Sequence, residues 1–394
     1  MSDELIIGPD RTGRVVSLRD GLVVAGLPDA TLRLACPEGE ILPGAVCAHT
    51  HIYSGLVPYG MPAPAEAPQN FLQILRRIWW RLDRALDADT LRAAAEDYVA
   101  KALLAGTTTL IDHHESPSLI AGSLAILAEV CERLGMRALL CYGATERNFG
   151  ADEAGRGLAE CESLVDTSLV RGLIGLHAGF TVSDETIRAA GELARQRKTV
   201  LHVHVAEDNA DVADARARGY RGPLERLRSL DALVPGSILA HGVHLGADEI
   251  HAANAADCWL IHNPRSNEGN RVGYAKVLGG GRRVALGTDG WNADMAEEQA
   301  ALDRLGRQND DKTIGGRLAA GQRLVAERFG AATAALAPGA LADLVIRQNG
   351  RVRHVLVGGR LVIADGGLVT GSMEEIAETA RKQADRLWKR MEAL

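Results

Sequence analysis

Between residues 41 and 289, short apolar runs rich in β-branched residues alternate with amphipathic stretches. The runs are ILPGAVCA (41–48), TTTLIDH (107–113), MRALLCYGA (136–144), LVRGLIGLHA (169–178), TVLHVHVA (199–206), SILAHGV (237–243), DCWLIHN (257–263) and RVALGTD (283–289). Strand-like runs separated by helical segments predict parallel strands joined by helical crossovers. Eight such runs are the number that closes a (β/α)8 barrel, so the predicted class is α/β.

The connecting segments carry helical spacing. In SPSLIAGSLAILAEVCERLG, the residues Ile120, Leu124, Leu127, Cys131 and Leu134 recur at intervals of three and four, and Gly135 ends the pattern. The two ends of the chain read differently. RVVSL, GLVVAGL and ATLRLAC near the start, and LADLVIRQNG and RVRHVLVGGRLVIADGGLV near the end, are short runs broken by Gly and Pro. They predict one small β-sandwich domain built from residues 1–42 and 335–371, beside a barrel spanning 43–334. In residues 372–394, Ile376, Ala380, Ala384 and Leu387 form one apolar stripe of a terminal amphipathic helix, able to dock on the body or on a partner. The stretch from Asp289 to about residue 330 reads as a mobile loop followed by a helix.

Composition narrows the class. Apolar residues make up 46% and charged residues 24% of 394, an ordinary soluble profile. Lys and Arg total 44 against 51 Asp and Glu, net −7, with no basic run, which argues against nucleic acid or an anionic membrane as partner and for a small neutral or cationic substrate. The six cysteines are scattered without a CxxC pair, as in a reducing compartment. MSDELIIGPD lacks the order of a signal peptide, and no apolar run reaches membrane-spanning length, so the expected location is the cytoplasm.

The candidate chemistry sits at strand ends, where barrels of this type place their active sites. His49 and His51, two apart at the end of the first run, point to the same side and offer a chelate. The fifth run ends with His204 three residues before Glu207, the sixth holds His241, and the eighth ends in Asp289. Three imidazoles and a carboxylate suit a divalent metal with positions left open for water. Glu207 is placed to shuttle a proton, and His241 to orient a hydroxide or polarise a substrate oxygen. His202 shares a face with His204 but lies deeper and is expected to be a hydrogen-bonded core residue. His113, His114 and Glu115 after the second run and His177 after the fourth could touch substrate. Trp291 and Asn292 are expected to shape the pocket. The fourth run contains no lysine, so the carbamylated lysine of two-metal hydrolases has no source, and a single ion is expected.

With HTH on the first strand, HVHVAE on the fifth, His241 on the sixth and TDG on the eighth, the chain resembles the amidohydrolase superfamily, and within it the metal-dependent deaminases of the cytosine and guanine type. The resemblance is closer still to SsnA-like aminohydrolases, on NFLQILRRIWWRLDRALD, LIDHHES, LHAGFTVSDET, NPRSNEGNRVGYAKVL and LGTDGWNADM. It implies that His49, His51, His204 and Asp289 hold one divalent ion, zinc in the first place and iron in the second. It also implies that Glu207, His241 and Asp289 are catalytic, that His177 approaches the substrate, and that the chain forms a homodimer; Trp291 and His114 are expected from their positions to join His177 in substrate binding. The implied reaction is hydrolysis of a non-peptide C–N bond by a metal-bound hydroxide, deaminating a purine-, pterin- or pyrimidine-like ring. The alternatives are hydrolytic opening of a cyclic amide or amidine and a non-catalytic barrel scaffold.

Overall fold

The computed structural model describes residues 4–28 and 32–394. The first three residues of MSDELIIGPD and the start of the run ATLRLAC, residues 30 and 31, lie outside that set. Eight parallel strands follow the predicted runs: Ala45–Thr50 (β1), Thr107–His114 (β2), Arg137–Ala144 (β3), Ile174–Ala178 (β4), Leu201–Val205 (β5), Ile238–His241 (β6), Trp259–His262 (β7) and Val284–Leu286 (β8). A short strand, Val170–Gly172, pairs with β3 just before β4, so the run LVRGLIGLHA is one strand broken at Leu173. The ring closes between the first and last members. Thr50 bridges Asp289 in parallel, and the N–H groups of Thr288 and Asp289 donate to the His49 carbonyl at 2.9 and 3.0 Å.

Helices cover the outside. Ser123–Leu134 ends at Gly135, whose φ of 81° is the left-handed stop that glycine accepts without strain, and its stripe residues are all buried. Beyond β8 the structure differs from the loop-then-helix expectation. A helix, Met295–Gln308, starts six residues after Asp289, and a second, Arg317–Phe329, follows the QNDDKTIGG turn. Asp294 caps the first by accepting from the N–H of Ala296 and Glu297, and the helix's buried Met295 and Leu302 join the barrel core, so the segment is ordered by packing.

The chain ends meet. Glu40–Pro43 pairs antiparallel with Leu344–Gln348 in a five-stranded sheet, and a four-stranded sheet is formed by Glu4–Ile7, Val16–Arg19, Leu22–Val24 and Leu32–Leu34. Ile7, Val16, Leu18 and Val23 from the second sheet pack against Ile41, Leu344, Ile346 and Leu356 from the first, a sandwich core separate from that of the barrel. The terminal helix Met373–Glu392 buries Ile376, Ala380, Ala384 and Leu387 against the body of the chain. There Trp388 Nε1 donates to the Tyr59 carbonyl at 3.0 Å. All six cysteines are free and buried. Among the described residues no helix is long and apolar enough to cross a membrane.

Candidate metal centre

At the C-terminal mouth of the barrel, ligand atoms of His49, His51, His204 and Asp289 lie within 4.8 Å of one another, and all four residues are buried. The two shortest constraints on their protons come from the backbone. His51 Nδ1 lies 2.5 Å from the His113 carbonyl and His204 Nδ1 lies 2.6 Å from the His177 carbonyl. A carbonyl only accepts, so both Nδ1 atoms carry hydrogen and, in the neutral rings, both Nε2 atoms present lone pairs. Those Nε2 atoms face each other at 3.3 Å, and His51 Nε2 is 2.8 Å from Asp289 Oδ1. Acceptors converging at such distances repel unless a cation lies among them, so this donor set suits a divalent ion.

In the metal-free protein a proton takes that place. Burial works against charging His51, but Asp289 and Glu115 outweigh it and push its pKa up to about 10. Burial likewise opposes ionisation of Asp289, yet His51, with hydrogen bonds from His49 and His51, holds the carboxyl well below the usual range. For His49 burial outweighs the opposing hydrogen bond and charge of Asp289 and drives its pKa down to about 3, and burial among neighbouring imidazoles keeps His204 neutral too. His202 lies deeper, as expected: its Nε2 is 2.9 Å from His49 Nδ1, so it orients that ring from beneath.

The end of β5 carries Glu207 to the rim. Its Oε1 accepts from Asn270 Nδ2 at 3.1 Å, and its Oε2 is 3.7 Å from His241 Nε2. Burial raises its pKa to about 7, with Asp289 adding to the rise and His241 opposing it. His241 is anchored through Nδ1 to Asn267 Oδ1 at 2.9 Å. Its Nε2, buried and without a hydrogen-bond partner, lies 3.8 Å from Asp289 Oδ1. Asp289 Oδ2 accepts from the Ser266 hydroxyl. Ala206, His241 and Asp289, at the ends of β5, β6 and β8, have φ of 48°, 71° and 55°. That left-handed conformation is costly for side-chain-bearing residues and here turns the chain at the mouth.

A cavity opens on this centre, walled by Phe71, Leu75, Trp79 and Trp80 and by His177 and Phe180. His177, held through Nδ1 to Thr181 Oγ1 at 3.1 Å, lies where substrate contact was expected. Two other expected substrate residues do not line this cavity. Successive residues of a strand point to opposite sides: His113 turns inward, its ring 4.5 Å from that of His204, so His114 turns outward against Tyr53 and bonds Ser116 Oγ at 2.8 Å. Trp291, two residues past the left-handed Asp289, is 48% exposed and lines a neighbouring cavity together with Asn292. Sequence reasoning missed Ser266, Asn267 and Asn270, in and just after the short helix Pro264–Gly269 that follows β7. Their only signal was the polar cluster in NPRSNEGN.

A sequence profile described as Amidohydrolase family matches residues 41–362. The chain is 27% identical to a 5′-deoxyadenosine deaminase of Methanopyrus kandleri over 88% of its own length and 86% of that protein. It is 31% identical to an 8-oxoguanine deaminase of Pseudomonas aeruginosa over 71% of its own length and 65% of that protein. Among solved structures, a zinc-bound adenosine deaminase from Xanthomonas campestris matches with a TM-score of 0.80 at 23% identity, covering 98% of each chain, a likeness of fold.

Proposed function

This chain belongs to the amidohydrolase family, and from that premise we propose that it is a metal-dependent hydrolase that deaminates a purine-, pterin- or pyrimidine-like heterocycle. The observation that carries the reading is the meeting of three imidazole Nε2 atoms and Asp289, with Glu207 at the rim. His49, His51, His204 and Asp289 would hold one divalent ion, zinc before iron. Bound there, the ion supplies Lewis acidity, lowering the pKa of water toward 7 and stabilising developing negative charge.

The remaining work falls to side chains. A carboxyl with a pKa of about 7 can both take and give a proton near neutrality, so Glu207 moves a proton to the ring nitrogen beside the attacked carbon. Asp289, pinned through Oδ2 by Ser266, keeps Oδ1 facing His241 and the other histidines and passes a proton toward the departing amine. His241, whose Nδ1 donates to Asn267 Oδ1, turns Nε2 toward the position where oxygen is added and accepts a hydrogen bond there. His177 meets the ring from the cavity wall. The sum is one water consumed, one C–N bond broken and one ammonia released.

The test is ammonia release from a panel of purines, pterins and pyrimidines, with metal measured by elemental analysis in wild type, His204→Ala and Asp289→Ala. About one zinc or iron per chain, lost in both variants, and ammonia from at least one compound support the proposal. Glu207→Gln should keep the metal while kcat falls by about 10²–10⁴-fold. Metal without ammonia and with ring-opened product would replace deamination by cyclic-amide hydrolysis.

A further inference from the structure

No lysine or arginine is among the described residues that line the cavity, whereas six carboxylates are: Asp83, Glu115, Glu207, Asp208, Asp211 and Asp289. Three of them belong to the centre itself, Glu115 by accepting from His113 Nδ1 at 2.6 Å. Asp211 accepts from the Ala206 N–H at 2.8 Å and so braces the strand end. Asp83 is different. Its Oδ2 accepts from Arg147 Nη2 at 2.7 Å, but Oδ1 is buried with no hydrogen-bond partner, and the residue is only 2% exposed. A buried acceptor left unpaired costs about 1–3 kcal/mol, which a ligand's N–H would recover.

Arg147 does not reverse the balance. Its guanidinium is shared between Asp83 and Thr145 Oγ1 and lies over the Trp80 ring, 4.8 Å from the centroid. The cavity wall adds the aromatic rings of Phe71, Trp79, Trp80 and Phe180, whose π faces attract cations. Unpaired acceptor, acidic wall and aromatic faces all favour the same ligand chemistry.

We propose that the cavity selects a planar ring bearing a positive charge or amidine-type N–H donors, and that Asp83 is the specificity residue that receives them. The proposal rests on the cavity being the place where the substrate ring sits.

The experiment is calorimetric binding of benzamidine and benzamide, a cationic and a neutral ring of the same shape, to the metal-loaded full chain. Benzamidine should bind at least about tenfold more tightly, the ratio expected when one buried charge pair is worth about 1.4 kcal/mol. Asp83→Asn should bring the ratio close to one, and Asp83→Glu should keep most of it. Equal affinities in wild type, or a ratio unchanged in Asp83→Asn, would overturn the proposal. If Asp83→Asn leaves Arg147 uncompensated and does not fold, the double variant Asp83→Asn with Arg147→Gln, which removes both charges of the pair, serves instead. The ratio should again fall close to one, and an unchanged ratio there also overturns the proposal. Binding is read without turnover, so a chain that deaminates nothing can pass this test and a deaminase without the preference fails it.

Discussion

Asp343 and Asp289 are each 6% exposed and stand at opposite ends of the same barrel. Asp343, at the N-terminal end, accepts from Arg137 Nε at 2.5 Å and Nη2 at 2.9 Å, and from the Gly358 N–H at 2.7 Å. Every partner is a donor, and the pair rivets the first residue of β3 to the β-sandwich. Asp289 faces the Nε2 atoms of His51, His49 and His241 at 2.8, 3.1 and 3.8 Å, and the hydrogen bond that holds His51 at Nδ1 makes its neutral Nε2 an acceptor. Equal burial thus accompanies opposite electrostatics: one carboxylate is complete within the fold, and the other is complete only with a cation. A buried polar group says little until its partners' protons are assigned.

The largest effect expected from this contrast is on folding. Asp343→Ala should lower stability by about 3–5 kcal/mol in urea unfolding, because it strands a buried guanidinium. An equal loss from Asp289→Ala in metal-free protein would erase the distinction. The response to metal should divide the two ends the other way. Zinc at a thousandfold excess over its Kd should stabilise wild type by about 4 kcal/mol, and Asp289→Asn should lose most of that gain in the same titration.

A third aspartate lies between the extremes. Burial pushes Asp211 from 3.8 up to about 7, against hydrogen bonds from Ala206 and Phe180. Because its folded pKa lies above its unfolded one, the folded state holds the proton more tightly. Its contribution is therefore full below about pH 4 and is lost as pH rises through 7. Asp211→Asn should flatten the decline of stability across that window by roughly 1–4 kcal/mol, measured as unfolding midpoint against pH. The smallest effect belongs to Trp291. Set in the neighbouring cavity, its replacement by alanine should change kcat/KM less than about threefold and stability within about 0.5 kcal/mol, whereas a large fall would return it to the substrate site.

Much of the barrel was readable because its signals are local. Each of the eight runs was recognisable within ten residues, and the ends of β1, β5, β6 and β8 marked His49, His51, His204, His241 and Asp289 before their meeting was visible. The helix Met295–Gln308 was less legible, since Gly, Asn and charge in its neighbourhood imitate a loop and only burial against the barrel orders it. His114 and Trp291 lie off the cavity for a related reason: adjacency in sequence to a functional strand end does not fix direction, and one residue of strand alternation or one left-handed turn reverses it.

The sequence by itself determined the strand and helix order, the small sandwich formed by the two ends, and the residue types brought to the mouth, because periodicity and turn chemistry act over a few neighbours. Only the tertiary structure decided that His51 and His204 spend their Nδ1 hydrogens on carbonyls 62 and 27 residues away, and that Ser266 and Asn267 hold Asp289 and His241. It alone decided, too, that Arg137 closes on Asp343 across 206 residues while Asp83 keeps one oxygen unpaired. Hydrogen-bond complementarity is set by distances of about 3 Å between groups far apart in the chain, and no local pattern encodes which donor will arrive at which acceptor.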